Sequence, residues 1–339
     1  MSRIGVAVIG VGLMGRRHAE NAASRIPGAA LVAVYDEASD VARRVAAELN
    51  AEPSPSIDAL LARRDVHAVV VASPSRYHAE HTVAALEAGK DVLVEKPMAH
   101  TLADCDRMLA AAEAARAMLQ IGFMRRYDPA YAEAKERIAS GVLGTPRLVR
   151  AVHRDRDASD RPSAAGVRDM MFESTIHDFD LSRFLLADDI ALVTTSAAAL
   201  CHRGGEHGHA PNAALNTVRF THGALADIET YWGARYAYDV RTEVVCAEGT
   251  AMIGHPQRSR LGVYTADGAR HDLFQGFLER FADAYLLELT DFVASARERR
   301  PPAVSGADGR AAVAAALAGI ESFATGIAVR PGAAVGPVA

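Results

Sequence analysis

Three sets of residues in this chain of 339 have types and spacings that could do chemistry. The first, Gly10-Val-Gly12-Leu13-Met14-Gly15, is a G-x-G-x-x-G turn between the apolar run Ile4–Ile9 and a helical stretch. In that context the pattern suits a dinucleotide: Gly10 permits the tight turn, Gly12 lets backbone approach a pyrophosphate, and Gly15 lets helix and strand pack closely. The helix N-terminus offers N–H groups and a positive dipole end to phosphates, so Leu13 and Met14 belong to the same cofactor site. Asp36 ends the next apolar run, about 20 residues on, where a carboxylate accepts both ribose hydroxyls and repels a 2′-phosphate. Glu37 adds to that repulsion and Arg43 and Arg44 oppose it; the balance points to NAD over NADP.

Lys96 is the second. Lysine occurs only at Lys90, Lys96 and Lys135, and Lys96 follows the apolar run Asp91–Glu95. A cation there could bond both the nicotinamide ribose and a substrate hydroxyl; the plain alternative is a surface lysine. The third is Glu173 with His177, at i and i+4 and so on one helical face, beside an apolar stripe of Phe172, Ile176 and Phe179. A carboxylate one turn before a histidine can orient the imidazole and stabilise its charged form, and histidine suits a base near neutral pH. From spacing alone, an ordinary helix-surface pair fits equally well.

Strand and helix alternate through residue 122, with strands at 4–9, 30–35, 68–72, 91–95 and 118–122 and helices between them. That alternation predicts a parallel, doubly wound α/β sheet, whose ligands lie outside the carboxyl ends of the strands. It puts the glycine turn, Asp36, Ser73-Pro74 and Glu95-Lys96-Pro97 on one rim. Helices are expected over 128–140 and 172–186, and strands over 146–154, 190–199, 213–221, 224–232, 241–246, 251–253 and 261–265. Closing helices are expected over 277–298 and 307–324. This half reads as an α+β domain with a largely antiparallel sheet. The expected domains are 1–122 for the cofactor and 123–330 for substrate and oligomerisation, with 331–339 a disordered tail.

Half the residues are apolar and 23% charged, a globular balance, and the net charge of −5 argues against nucleic acid as a partner. Cys105, Cys201 and Cys246 are odd in number and scattered, which argues against a disulfide framework and for a reducing compartment. The opening residues fit the nucleotide turn better than a signal peptide, and no apolar run approaches a membrane span. The expected location is cytoplasmic. His202-Arg-Gly-Gly-Glu206-His207-Gly-His209 has metal-ligand residue types but no regular spacing, so a solvated loop is expected and no metal.

The glycine turn, Asp36, Ala72-Ser73-Pro74-Ser-Arg-Tyr-His78, Glu95-Lys96-Pro97 and Glu173-x-x-x-His177 together resemble the glucose–fructose oxidoreductase/inositol dehydrogenase (Gfo/Idh/MocA) family, from Arg3 to about Arg330. The resemblance implies a Rossmann domain, a sheet-containing domain, NAD(P) oxidoreductase activity, and dimers or tetramers, often formed through the open sheet. It also places Ser73, Pro74, His78 and Glu95 with the cofactor. Gly122-Phe-Met-Arg-Arg-Tyr-Asp-Pro129, Ala151-Val-His-Arg154, Arg235-Tyr-Ala-Tyr-Asp239 and Arg280-Phe-Ala-Asp-Ala-Tyr285 are similar to inositol 2-dehydrogenase signatures. That likeness implies that Lys96 orients substrate, His177 is the base, and Arg126, Asp155, Tyr236 and Tyr285 bind hydroxyls. The inositol enzymes typically carry Asp at the position of Glu173 and Asn at that of Asp155. The second change leaves an acceptor-only group, which favours a ligand with extra donors, an amine included.

The expected activity is NAD-dependent oxidation of a secondary ring alcohol of a cyclitol or sugar by a homo-oligomer. The alternatives are a keto-sugar reductase of the same fold, an NAD-retaining glycosidase, and a nicotinamide sensor without turnover.

Overall fold

The computed structural model describes residues 3–156, 166–200 and 210–332. The stretch His202–His209, expected to be a loop, and residues 333–339 of the expected tail lie outside the described residues. Contacts divide the chain into two compact units: Met1–Tyr127 with Asp283–Val313, and Asp128–Ala282 with Ala314–Ala339.

The first unit begins β1 (Ile4–Ile9), α1 (Leu13–Ser24), β2 (Ala29–Tyr35), α2 (Ser39–Leu49), β3 (Glu52–Pro53) and α3 (Ile57–Leu61). It continues β4 (Ala68–Val71), α4 (His78–Glu87), β5 (Asp91–Glu95), α5 (Leu102–Ala115) and β6 (Leu119–Gly122). The strands form one parallel sheet in the order β3-β2-β1-β4-β5-β6. β1, β4 and β5 are buried almost throughout, because helices cover both faces of such a sheet and leave no solvent side to alternate toward. The order reverses between β1 and β4, which opens a crevice at their carboxyl ends. β3 was not expected: two residues, one a proline, carry no periodicity and are tolerated only at an edge.

The second unit contains α6 (Pro129–Ala139), β7 (Pro146–Arg156), α7 (Val167–Met170), a π-helical turn (Met171–Thr175) and α8 (Ile176–Leu186). β8 (Ile190–Ala198), β9 (Ala213–Phe220), β10 (Leu225–Ala234), β11 (Asp239–Cys246) and β12 (Thr250–Ile253) follow. The sheet runs β12-β11-β7-β10-β9-β8; β7 and β10 pair in parallel and every other pair is antiparallel. Strict alternation of buried and exposed residues along β9 shows one face packed and one open. A hairpin of β13 (Gln257–Thr265) and β14 (Gly268–Leu273) and the short α9 (Phe277–Arg280) complete its middle.

α10 (Ala282–Glu298) packs in the first unit, where Leu289, Phe292 and Val293 join Val6, Val8 and Val34 in one core. α11 (Gly306–Thr325) is divided between the units at Val313. Its second half lies tight on the sheet: a Cβ on Gly319 would come within 3.2 Å of Met171 and Thr195.

Candidate active site

On the rim of the first unit the glycine turn does what its spacing requires. Gly10 has φ of +84°, and a Cβ there would fall 2.6 Å from the backbone of Ser73. A Cβ on Gly15 would lie 1.8 Å from the Gly10 carbonyl oxygen, so α1 can start this close to β1 only with glycine. Gly12 differs: it is exposed, and a Cβ on it would meet nothing within 4 Å. The open face of Gly12 is room for a ligand to reach backbone. The first helical bond of α1 runs from Arg16 N–H to Gly12 C=O. The N–H groups of Leu13, Met14 and Gly15 therefore belong to the turn that a helix leaves without internal acceptors. Asp36 is clamped beside them, its Oδ2 accepting from Val11 N–H at 2.9 Å and its Oδ1 from Ala38 N–H at 3.0 Å. Each oxygen keeps a lone pair for a ribose hydroxyl. These groups fit a dinucleotide.

The loops after β4 and β5 are joined by His78. Its Nδ1 lies 2.8 Å from Pro97 C=O and its Nε2 2.9 Å from Ser73 C=O, and burial lowers its pKa against the pull of those two carbonyls. His78 is thus an internal tie between rim loops, with Ser73 and Pro97 as its ends. Lys96 is half-buried, and its backbone N–H reaches Glu95 Oε2 at 3.3 Å. Glu95 Oε1 in turn lies 2.8 Å from His18 Nε2, and Tyr285 meets the His18 ring edge-on. Arg126 forms an ion pair with Asp308 at 3.0 Å. Burial alone would raise the Asp308 carboxyl, but Arg126 and the Ser305 donors hold it below its ordinary value.

In the second unit the helix expected over 172–186 begins earlier, at Val167, and passes from an α to a π and back to an α segment, because Met171–Thr175 carries an extra residue in its turn. Glu173 is exposed, whereas His177 is buried at 5% exposure. The neighbour of Glu173, Ser174, donates to Asp155 Oδ2 at 2.9 Å and accepts from the Trp232 indole N–H at 2.9 Å. His153 continues the chain, with Nε2 3.7 Å from Asp155 and Nδ1 3.1 Å from the buried Asp178. Tyr236 is 46% exposed; its hydroxyl donates to Asp239 and accepts from Arg154 at 3.1 Å. It lines a cavity of about 530 Å³ on the open sheet face, together with Arg154, Leu200, Leu215 and Tyr231.

The structure thus gathers Gly10, Gly12, Gly15, Asp36, Ser73, His78, Glu95 and Lys96 into one connected rim. Asp155 joins a relay through Ser174, while Tyr236 belongs to a separate cluster at the ends of β7, β10 and β11. Sequence reasoning missed His18 and Ser174. One signal was available for each: a lone histidine inside the apolar stripe of α1, and the position next to Glu173.

The chain matches the model of an oxidoreductase family with an NAD-binding Rossmann fold over residues 4–123, and that of the GFO/IDH/MocA C-terminal domain over residues 131–252. It is 32% identical over 325 residues to a scyllo-inositol 2-dehydrogenase (NAD(+)) of Bacillus subtilis, covering 96% of this chain and 95% of that one. It is 36% identical over 323 residues to inositol 2-dehydrogenase 3 of Saccharopolyspora erythraea, covering 95% and 93%. A crystal structure of scyllo-inositol dehydrogenase from Lactobacillus casei with bound NAD(H) and scyllo-inositol superposes with a TM-score of 0.91, at 26% identity over 97% of this chain and 99% of that chain. The chain belongs to the GFO/IDH/MocA oxidoreductase family.

Proposed function

We propose that this member of the GFO/IDH/MocA family oxidises one secondary ring alcohol of a cyclitol to the ketone, with NAD as the hydride acceptor. The observation that carries the reading is the built rim: an open Gly12 face, a clamped Asp36 and Lys96 in the loops after β1, β2 and β5, in a chain alignable along 96% of its length with an NAD(+)-dependent inositol dehydrogenase. Bound NAD supplies an electrophilic ring carbon that accepts the hydride. The residues that would hold it are Gly10, Gly12, Leu13, Met14, Gly15 and Asp36, with Ser73, Pro74, His78 and Glu95 shaping the neighbouring loops. Asp36 favours NAD, since a carboxylate there repels a 2′-phosphate.

In this reading Lys96 fixes the reacting oxygen, His177 takes the hydroxyl proton as general base, and Glu173 supports the charge that His177 acquires. Arg126, Asp155, Tyr236 and Tyr285 read the remaining hydroxyls. Asp155 accepts from Ser174 and so presents acceptor lone pairs, which suits a ligand rich in donors, an aminocyclitol among them. The test is a panel of inositols, aminocyclitols and aldoses with NAD and NADP, followed at the NADH absorbance. NAD reduction by a cyclitol is expected; turnover of aldoses alone, or of NADP alone, overturns the reading.

The chain is expected to work as a homo-oligomer, a dimer or tetramer, packed through the open face of the second sheet, where Leu200 and Leu215 are exposed. Light scattering reads that directly. No described helix is long and apolar enough to cross a membrane, and Cys105 and Cys246 are free and buried, in keeping with a reducing cytoplasm.

A further inference from the structure

Behind the rim lies a cluster of ionisable groups that the proposed reaction leaves unused. His18 on α1, Glu95 at the end of β5 and Glu288 on α10 each contribute a ligand-type atom, and these atoms lie within 4.8 Å of one another. All three residues are buried, Glu288 and His18 completely. Glu95 is well supplied with donors, from His18 on Oε1 and from Lys96 N–H on Oε2. Gly122 on β6 makes room for it, since a Cβ there would lie 3.1 Å from Glu95 Oε2. Glu288 is the opposite case: among the described residues neither carboxyl oxygen has a hydrogen-bond partner.

Two buried carboxyl groups with atoms within 4.8 Å of each other repel when both are ionised, which favours keeping one of them protonated. The proton goes to the group without donors. A protonated Glu288 then has an O–H to give, and Glu95 is the neighbouring acceptor. We propose that Glu288 holds Glu95 in place through a proton directed between the two carboxyl groups, and is thereby a positioning residue for Lys96. The role assigned to Lys96 rests on the function proposed above; the shared proton does not.

The surroundings agree. Burial first, then Glu95 and Asp291, hold the Glu288 carboxyl well above its ordinary value. The titratable and charged groups around it are His18 from α1, Glu95 from β5, Asp291 one turn along α10, and Tyr127 with Arg126 after β6. Tyr127 donates to Asp291 at 3.0 Å, so that phenol is directed away from Glu288. Gln120 gives its amide to the Glu288 backbone carbonyl at 3.5 Å, so its N–H is directed at the main chain.

The test uses the full chain with NAD bound and two variants, Glu288→Gln and Glu288→Leu. Glutamine keeps a neutral donor of the same shape; leucine removes it. Three readouts separate the ideas. With only three lysines in the chain, amine acylation of Lys96 can be followed by mass spectrometry against Lys90 as internal reference. Glu288→Leu is expected to change the Lys96 rate by about three-fold or more, and Glu288→Gln to restore it, since free-amine content follows proton affinity. In cyclitol turnover, Glu288→Leu is expected to lower kcat about ten-fold with KM for NAD nearly unchanged, again rescued by glutamine.

The third readout is the Tm as a function of pH. A carboxyl raised in the folded state stabilises fully below its unfolded pKa, and that stabilisation is lost as pH rises through the folded value. Glutamine does not titrate, so the Tm of Glu288→Gln should gain on wild type with pH, by roughly 2–4 °C toward pH 9 and by nothing near pH 5. A flat or reversed difference, or glutamine as damaging as leucine in Lys96 acylation, overturns the proposal. One tightly held divalent ion per wild-type chain, lost in Glu288→Gln, overturns it in favour of a metal site. Absence of cyclitol turnover sinks the proposed function instead, and leaves acylation and Tm to decide this one.

Discussion

The two units hold their polar groups by opposite means. On the first rim the ligand-facing surface is main chain: the open Gly12 backbone and the N–H groups opening α1, with Asp36 fixed by Val11 and Ala38 N–H. In the second unit a relay of side chains does the holding, from Trp232 through Ser174 to Asp155 and from His153 to Asp178. A backbone-built surface tolerates many residue types nearby but not a Cβ in the wrong place. A side-chain relay depends on donor and acceptor identity at every link, because each buried member left alone keeps its desolvation cost.

That contrast can be broken by experiment. The largest effect is expected at Lys96, a side chain acting on a rim whose phosphate-facing part is backbone: Lys96→Met should lower kcat about 10³-fold while NAD affinity stays within about three-fold. Equal losses in binding and turnover would return Lys96 to the scaffold. Next comes Gly12→Ala, expected to weaken NAD binding about 100-fold with an unchanged Tm, as the added Cβ meets only ligand. Gly15→Ala is its counterpart, since its Cβ collides with the Gly10 carbonyl and should lower Tm as well. If calorimetry and thermal melts fail to separate the two glycines, the open-face reading of Gly12 is wrong.

Asp36→Ser should shift the NAD-to-NADP preference by about ten-fold toward NADP, measured as the ratio of the two kcat/KM values. The last effect, read on stability, is expected within the side-chain relay. Ser174→Ala strips a partner from both the Trp232 indole and Asp155, and should cost about 1–3 kcal/mol in urea unfolding. A neutral Ser174→Ala would show that the second unit does not depend on its relay.

Much of the first rim was legible because its signals are local. Gly10, Gly12, Gly15 and Asp36 announce a turn and a strand end within one βαβ segment, and steric need fixes their types. The alternation of strands and helices likewise gave away the parallel sheet, except for β3, whose two residues have no pattern to read. The second unit was readable as a largely antiparallel sheet from its run of strand-like stretches, but the parallel pairing of β7 with β10 was not, since register across 70 and more residues leaves no local mark.

The sequence by itself determined where a nucleotide could lie, since that depends on glycine sterics and a carboxylate at a set distance along the chain. Only the tertiary structure decided the rest. The turn Met171–Thr175 is π-wound, and Glu173 is exposed while His177 is buried, a difference in burial that even spacing does not show. Folding also brought residues 18, 95 and 288 within 4.8 Å of one another. Whether a carboxyl keeps its proton is set by what surrounds it in space, and no spacing along the chain encodes that.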